Sequence, residues 1–515
     1  MIRVGIDVGG TNTDAALLDG FDVIHTVKTP TTEDVTSGVL EALRSLFANR
    51  EPRVDAVMIG TTHFTNAIVQ RRELSEVAVL RLGAPATLAI PPMTAWPEDL
   101  KACIGDHVFF AAGGNEFDGR PISAFDPEEI AGIAEEIKAR GLKSVAITSV
   151  FSPINYDLEI QAGEIIASIV PDAGITLSHT IGRVGFLERE NATILNAALR
   201  SLGKKIAQAF ASALEGAKIK APFFLTQNDG TLMEAARAET FPILTVASGP
   251  TNSMRGAAFL SNLKEAVVVD IGGTTTDVGA LVQGFPRQAG VAVEVGGVRT
   301  NFRMPDVYSI GLGGGSLVRN GEVGPQSVGF KLSSEARVFG GSTLTATDIA
   351  VAAGLAQIGN RDRISDLEPT LIEATVEKIQ QRVRAAVDRV RLTAAPVPVI
   401  LVGGGVILVR GNVGDLETVR PNHFAAANAV GAAIAQVNGE LEKVYLLENI
   451  SRENAIGEAT DEARARAIAA GADAGTLEVV EVEDVPLSYL PGQATRIRVK
   501  VVGDLSIKEA GHALD

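Results

Sequence analysis

A chain of 515 residues is too long for one hydrophobic core and implies roughly two to four folded units, in a make-up (46% apolar, 21% charged) that is ordinary for a globular protein. A net charge of −16 with no Lys/Arg-rich run argues against a nucleic-acid partner. The single cysteine, Cys103, excludes a disulfide framework and any cysteine-built metal or Fe–S site within one chain.

The opening stretch Met1–Asp7 reads as a strand bearing an acid, not as a signal peptide. Strands at 3–8, 13–18 and 22–28 precede an amphipathic helix from Glu33 to Ala48, with Val35, Val39, Leu43 and Leu46 on one face. A strand from Val54 to Ile59 runs into Gly60-Thr61-Thr62-His63 and a short helix, where threonines are natural caps and the helix start attracts anions. From about 81 to 180 the chain reads as an inserted α/β subdomain. It starts irregularly around Pro85, Pro91, Pro92 and Pro97, and continues with helices Pro127–Arg140 and Leu158–Val170 and strands Ser144–Val150 and Ile175–Ser178. A long helix (Glu188–Gly216), a strand (Pro222–Thr226) and a turn (Gln227-Asn228-Asp229-Gly230) follow. Further on come the glycine loop 311–316, helices Ala346–Gln357 and Glu368–Leu392, and a strand Val397–Val402 ending in Gly403-Gly404-Gly405. A tail carries a helix Thr460–Ala470 between strands near 443–447, 477–483 and 495–502. The expected division is 1–80 plus 181–262, an insert 81–180, a second unit 263–440 and a C-terminal α/β extension 441–515. The longest apolar run, Ala394 to Val409, is broken by Pro396, Pro398 and the three glycines, so it cannot span a bilayer; the expected location is cytoplasmic.

One motif occurs twice. Asp7-Val8-Gly9-Gly10-Thr11-Asn12-Thr13-Asp14 matches Asp270-Ile271-Gly272-Gly273-Thr274-Thr275-Thr276-Asp277, each after a β-branched run. Glycines without Cβ let the backbone bend sharply and bring N–H groups close to a phosphate. Threonine hydroxyls add neutral donors, and an aspartate at the strand end can hold Mg²⁺ through water. A single copy could be an ordinary Asp-Gly hairpin turn. Two matching copies facing each other across a cleft would grip one polyphosphate from both sides. No Gly-x4-Gly-Lys-Ser/Thr loop occurs, and Gly311–Ser316 lacks the helix that a dinucleotide fingerprint needs.

Two halves that each carry such a turn resemble the superfamily of actin, sugar kinases and the heat-shock ATPases. That resemblance implies a duplicated RNase H-like α/β fold with ATP in the cleft, and a later glycine turn holding the adenosine. Ile400-Leu401-Val402-Gly403-Gly404-Gly405 is placed for that turn, and Pro421 to Ala433 for the helix after it. Gly60-Thr61-Thr62, Thr65-Asn66-Ala67, Gln227-Asn228-Asp229-Gly230, Ser248-Gly249-Pro250, Asp306–Ser316 and Val323-Gly324-Pro325 are similar, over essentially the whole chain, to the hydantoinase A/5-oxoprolinase family. The implied protein uses ATP and Mg²⁺ to activate a small cyclic amide (a hydantoin, lactam or 5-oxoproline) for ring opening, with a second hydrolase subunit, in an oligomer. One departure is Ser334-Glu335-Ala336-Arg337-Val338, where many relatives have Gly-Pro-Ala-Cys-Tyr.

Asp7 and Asp270 are the candidates for Mg²⁺ or water positioning, with turn capping as the alternative. Asp14 and Asp277 could equally bond backbone amides of their own hairpins. Asp229 is a catalytic candidate on the resemblance, against a plain Asx-turn. Nucleotide contacts are expected from Gly9, Gly10, Thr11, Asn12 and Thr13 in the first turn. The second turn offers Gly272, Gly273, Thr274, Thr275 and Thr276, and the later loops Gly313, Gly314, Gly403, Gly404 and Gly405. Thr61, Thr62 and His63 are the expected substrate contacts, and Arg337 could take a substrate carboxylate. Two other readings stand beside this one: a small-molecule kinase releasing a stable phosphate ester, and a non-catalytic actin-like ATPase switch.

Overall fold

The structure, a computed structural model, describes residues 1–32, 34–48, 51–289, 293–302, 304–393, 395–487 and 493–506. It opens with an antiparallel meander of β1 (Ile2–Val8), β2 (Asn12–Asp19) and β3 (Asp22–Pro30). Helix α1 (Val35–Leu46) then crosses to β4 (Ala56–Thr61), which lies parallel to β1. Asp34 caps α1 by accepting from Ser37 N at 2.9 Å, and Val39, Ala42, Leu43 and Leu46 form its buried stripe. The expected start of this helix at Glu33 lies outside the described residues.

After α2 (His63–Gln70) the insert forms its own parallel sheet. It comprises β5 (Val77–Ala84), α3 (Glu98–Ile104), β6 (His107–Ala112), α4 (Pro127–Ala139), β7 (Ser144–Ser149), α5 (Asp157–Ile169) and β8 (Gly174–Leu177), in strand order β6-β5-β7-β8. Helix α6 (Phe186–Gly216) leads back to β9 (Phe223–Thr226), parallel to β4, and then to β10 (Thr231–Glu234), α7 (Ala235–Thr240) and α8 (Ser248–Ser261).

The second half repeats the plan with β11 (Ala266–Ile271), β12 (Thr276–Val282) and β13 (Phe285–Pro286), a hairpin β14 (Val293–Val295) and β15 (Val298–Thr300), and β16 (Val307–Ile310). It continues through a second hairpin, β17 (Ser316–Arg319) and β18 (Glu322–Ser327), then α9 (Leu332–Glu335), α10 (Ala346–Ala352), α11 (Pro369–Val390), β19 (Val399–Val402), β20 (Thr418–Val419) and α12 (Ala427–Ala433). The spatial orders β3-β2-β1-β4-β9 and β16-β12-β11-β19-β20 are the same arrangement: three antiparallel strands followed by two parallel ones. This is the RNase H-like order, present twice. Beyond α12, β21 (Gln436–Leu446), α13 (Arg452–Ala469), β22 (Glu478–Pro486) and β23 (Ala494–Gly503) extend the first sheet. Among the described residues that sheet has nine strands, ending β9-β10-β21-β23-β22.

Helices α8 and α12 cross between the halves. A Cβ on Gly256 would overlap the Ala427 carbonyl oxygen, one on Gly431 that of Asn252, and one on Gly5 of β1 that of Ala429. The three glycines therefore bring backbone against backbone at the waist of the molecule. This contact also explains why the sequence reading found no helix at α8. Its buried residues are mostly small or polar (Ser248, Thr251, Asn252, Ser253, Gly256, Ala257 and Ala258), and Met254 is the only large apolar side chain among them, so the apolar stripe is weak. Helices α3 and α7 are also unanticipated, α12 begins at Ala427 and not at Pro421, and two further helices differ for identifiable reasons. Helix α10 stops at Ala352, where Gly354 at φ +75° turns the chain. Helix α13 begins eight residues earlier than expected, because its buried face is the alanine row Ala455, Ala459, Ala463 and Ala467. Among the described residues no helix is long and apolar enough to cross a membrane.

Candidate functional site

Both glycine turns close in the same way: Gly9 N donates to Asn12 O at 3.0 Å, and Gly272 N to Thr275 O at 2.9 Å. In each, the strand register sets two carboxylates directly opposite, Asp7 with Asp14 and Asp270 with Asp277. The turns face each other so closely that a Cβ on Gly273 would stand 3.5 Å from the Thr11 methyl. The glycine loop after β16 is laced under the second turn, with Gly314 N donating to Gly272 O at 3.0 Å and Gly315 N to Gly273 O at 2.7 Å. A Cβ on Gly313 would sit 2.6 Å from Thr274 N, so this strap tolerates only glycine there. Gly403, just after β19, has φ +89°, and a Cβ on it would overlap Asp270. Residues 403–405 thus pack against the base of the second turn.

Between the turns lies a cavity of about 310 Å³. It gathers Gly9, Thr11, Asn12, Asp270, Gly272, Gly273, Gly314, Gly403, Gly404 and Gly405 from the expected set. Gly10, Thr274 and Thr275 are exposed at the turn tips. Thr13 is buried against Thr31, and Thr276 donates to Leu312 O at 2.6 Å. Gly313 supports the strap from behind. The cavity also contains Asp14 of the first motif and residues the sequence did not single out: Lys28, Ser253 and Asn428 on the polar side, and Leu332, Phe339, Ile358 and Ile407 forming an apolar wall.

The carboxylates are held at an electrostatic cost. Burial pushes Asp7 up to about 6, its neighbour Asp14 adds to that, and the amides of Asn428 and Asn252 pull it back. Asn428 Nδ2 reaches both acids of the first turn, at 2.9 Å to Asp7 and 3.1 Å to Asp14. Burial also raises Asp14, against the opposing charge of Lys28, which forms an ion pair with it. Asp270 is raised by burial and pulled back by the Ser253 hydroxyl, 2.5 Å away, and by the charge of Lys28. Burial lifts Asp277 to about 6 despite a 2.5 Å bond from Ser309 Oγ. Asp14 and Asp277 therefore bond side chains, not the amides of their own hairpins.

Asp14, Asp270 and Lys28 line the cavity, and Asp7 and Asp277, opposite the two acids in their hairpins, lie outside its lining. This surplus of acids makes a poor place for a bare polyanion and a good one for a polyphosphate carrying a divalent cation. Among the described residues no three His, Cys, Asp or Glu side chains cluster tightly enough to hold a metal ion by themselves. Asp7 and Asp270 fit the way Mg²⁺ is usually held, through one or two carboxylates with the remaining ligands drawn from water and phosphate.

Strand register brings Gly60 beside Asp7 and Thr61 beside Val8, so residues 61–63 emerge next to the first turn, outside the cavity lining. Thr61 Oγ1 and His63 Nδ1 are 2.6 Å apart. Thr62 donates to Val8 O at 3.2 Å and does not cap α2, contrary to expectation. Burial lowers the His63 pKa, which favours a neutral imidazole. The start of α8 abuts this corner: Ala247 N donates to Thr65 Oγ1 at 3.2 Å. Asp229 lies away from the cavity lining. It accepts from Lys500 Nζ at 2.7 Å, Asn438 Nδ2 at 3.0 Å and Thr231 Oγ1 at 2.6 Å. Burial pushes its pKa up, but Lys500 and the hydrogen bonds from Thr231 prevail and hold it low. Arg337 pairs with Asp366 at 2.5 Å and donates to Arg363 O at 3.0 Å, partners within its own segment.

The profile of the hydantoinase/oxoprolinase N-terminal region matches residues 3–170, and that of hydantoinase/oxoprolinase matches residues 189–391. The chain is 24% identical over 469 residues to caprolactamase subunit alpha of Pseudomonas jessenii, covering 84% of this chain and 65% of that protein. It is 26% identical over 398 residues to the acetophenone carboxylase gamma subunit of Aromatoleum aromaticum, covering 68% of this chain and 53% of that one. The chain thus spans less than two thirds of either relative. The crystal structure of the ATP-dependent caprolactamase from Pseudomonas jessenii superposes with a TM-score of 0.76 at 18% identity, covering 98% of this chain and 88% of the other.

Proposed function

The chain belongs to the hydantoinase/oxoprolinase family, and from that premise we propose that it binds Mg-ATP between its two glycine turns and phosphorylates the carbonyl oxygen of a cyclic amide for hydrolytic ring opening. The observation that carries this reading is the contact between the turns, Thr11 against Gly273, over a cavity with one polar and one apolar side. The apolar wall of Leu332, Phe339, Ile358 and Ile407 suits a purine, and the turn amides suit its phosphates. Asp7 and Asp270 would hold the metal's water shell, and the metal would supply charge neutralisation on the phosphate oxygens. Thr61, Thr62 and His63, beside the first turn at the end of β4, are the proposed acceptor contacts: a neutral imidazole held by the Thr61 hydroxyl can orient a carbonyl without adding charge. The phosphorylated amide is an activated imidate that water attacks, and we assign that step to a second subunit. The acetophenone carboxylase relative adds a second acceptor class, a ketone.

The test is co-purification with the natural partner, then an ATPase screen over hydantoins, lactams, 5-oxoproline and aryl ketones. ADP and free phosphate released together with ring opening support the reading. A stable phosphate ester would make the protein a small-molecule kinase instead. No binding or hydrolysis of Mg-ATP with any of them would overturn the reading.

A further inference from the structure

Among the described residues one basic side chain lines the cavity, Lys28. It sits on β3 directly across from Asp14 on β2, and the two form an ion pair. Asp14 is buried and its second oxygen is taken by Asn428, so the acid is fixed and the lysine is tethered to it. About a third of Lys28 remains open (36%). The strand that carries it goes on to brace the first turn: Thr31 Oγ1 donates to Gly9 O at 2.8 Å, and Thr31 N to Thr11 O at 3.0 Å.

The duplication supplies an internal control. In the second half Asp277 stands where Asp14 stands in the first, and the residue across from it on β16 is Ser309. Ser309 satisfies Asp277 with a single 2.5 Å hydrogen bond. The aspartate at this place in the second half, less buried than Asp14, is therefore held by a serine hydroxyl, and the strand register alone does not call for a lysine. Only one half carries a cation here, and it lines the shared cavity.

We propose that Lys28 is the polyphosphate-binding cation of this cleft, with Asp14 as the positioning residue that aims its ammonium group. The proposal rests on the nucleotide reading above. A charged N–H to phosphate contact contributes on the order of 1.5–3 kcal/mol, which is about a 10- to 100-fold change in affinity.

Lys28→Ser copies the arrangement of the second half and leaves Asp14 a hydrogen-bond donor, so the fold should persist. Binding of Mg-ADP, a non-hydrolysable Mg-ATP analogue and adenosine is measured by calorimetry on the full chain, together with the melting temperature of the free protein. The expected result is that both phosphorylated ligands lose about 10- to 100-fold in affinity while adenosine stays within about twofold, and that Lys28→Arg restores most of the loss. Asp14→Asn should weaken Mg-ADP less than Lys28→Ser does, and should add little on top of it. Unchanged Mg-ADP binding in Lys28→Ser overturns the proposal. So does an equal loss for adenosine and Mg-ADP with a lower melting temperature, since that is the signature of a purely structural pair. Failure of the wild-type chain to bind Mg-ADP removes the nucleotide reading itself, a result distinct from either.

Discussion

Asp7→Asn should make the free protein more stable above neutral pH while removing a group the proposed activity needs. Asp7 is fully buried, stands opposite Asp14, and titrates at about 6 where an ordinary aspartate titrates at 3.8. A raised carboxylate pKa means that the folded chain holds the proton more tightly than the unfolded chain does. The penalty is therefore absent below about pH 4 and complete above about pH 6 to 7. At about 1.4 kcal/mol per tenfold, the ionised folded state bears about 3 kcal/mol. An isosteric amide escapes that penalty but brings two donors of its own that need partners, so the net gain at pH 8 should be about 1–3 kcal/mol. The gain should fall to about half near pH 5 and nearly vanish by pH 4. Urea unfolding of both proteins across pH 4 to 8 reads this directly. The reasoning is refuted if the mutant is no more stable than wild type at pH 8, or if the difference is the same at pH 4.5 and pH 8.

Lys500→Met should destabilise by about 3–5 kcal/mol, because it strands the buried Asp229 carboxylate; adding Asp229→Asn should recover most of that in urea midpoints, and a single-mutant loss below about 1 kcal/mol would contradict the buried pairing. Gly431→Ala should force α8 and α12 apart and cost roughly 1–3 kcal/mol. Gly457→Ala, on the exposed side of α13 with nothing near its Cβ, should stabilise by about 0.5–1 kcal/mol; equal thermal shifts for the two would refute the crossing argument. Asp270→Asn should lower Mg²⁺-dependent ATP turnover by roughly 10²-fold or more in a well-folded protein, and turnover within about threefold of wild type would remove the role. Saturating Mg-ATP, at about a hundred times its dissociation constant, should add about 2.7 kcal/mol to unfolding, and an unmoved melting curve would speak against the site.

The parts of the site legible in the sequence are those whose chemistry is local. A strand, two glycines, threonine and aspartate specify a turn within eight residues, and the repeat at 270 told the rest. The parts that were not legible depend on register and on tertiary approach. Nothing near Lys28 in the chain marks it as the partner of Asp14; the hairpin register decides that. Asn428 reaches Asp7 and Asp14 from the far end of the chain, out of range of any spacing argument. Ser253 and Asn252 sit on α8, whose apolar period, Met254 with Ala257 and Ala258, is too weak among small and polar residues to reveal a helix. Phe339 and Ile358 come from turns and short helical segments, where no periodicity says which side chain faces a ligand. Thr62 misled for the opposite reason: its type suits a cap, but the Val8 carbonyl, brought close by the strand pairing, takes the hydroxyl first.

The nine-stranded sheet has a consequence for how the molecule is made. Its strands come from residues 2–61, 223–234 and 436–503, whereas the second sheet draws on 266–419 alone. A chain delivered from its N-terminus by a ribosome can close the second sheet as soon as that stretch emerges. The first sheet must wait for β21 and β23, and domains that wait expose unpaired strand edges meanwhile. Asp229 waits with them, an acid destined for the interior whose counter-charge, Lys500, lies far downstream on β23. The half that emerges first is thus closed after the second, and the wall bearing Asp7, Asp14 and Lys28 gains its full backing only once β21 and β23 have emerged.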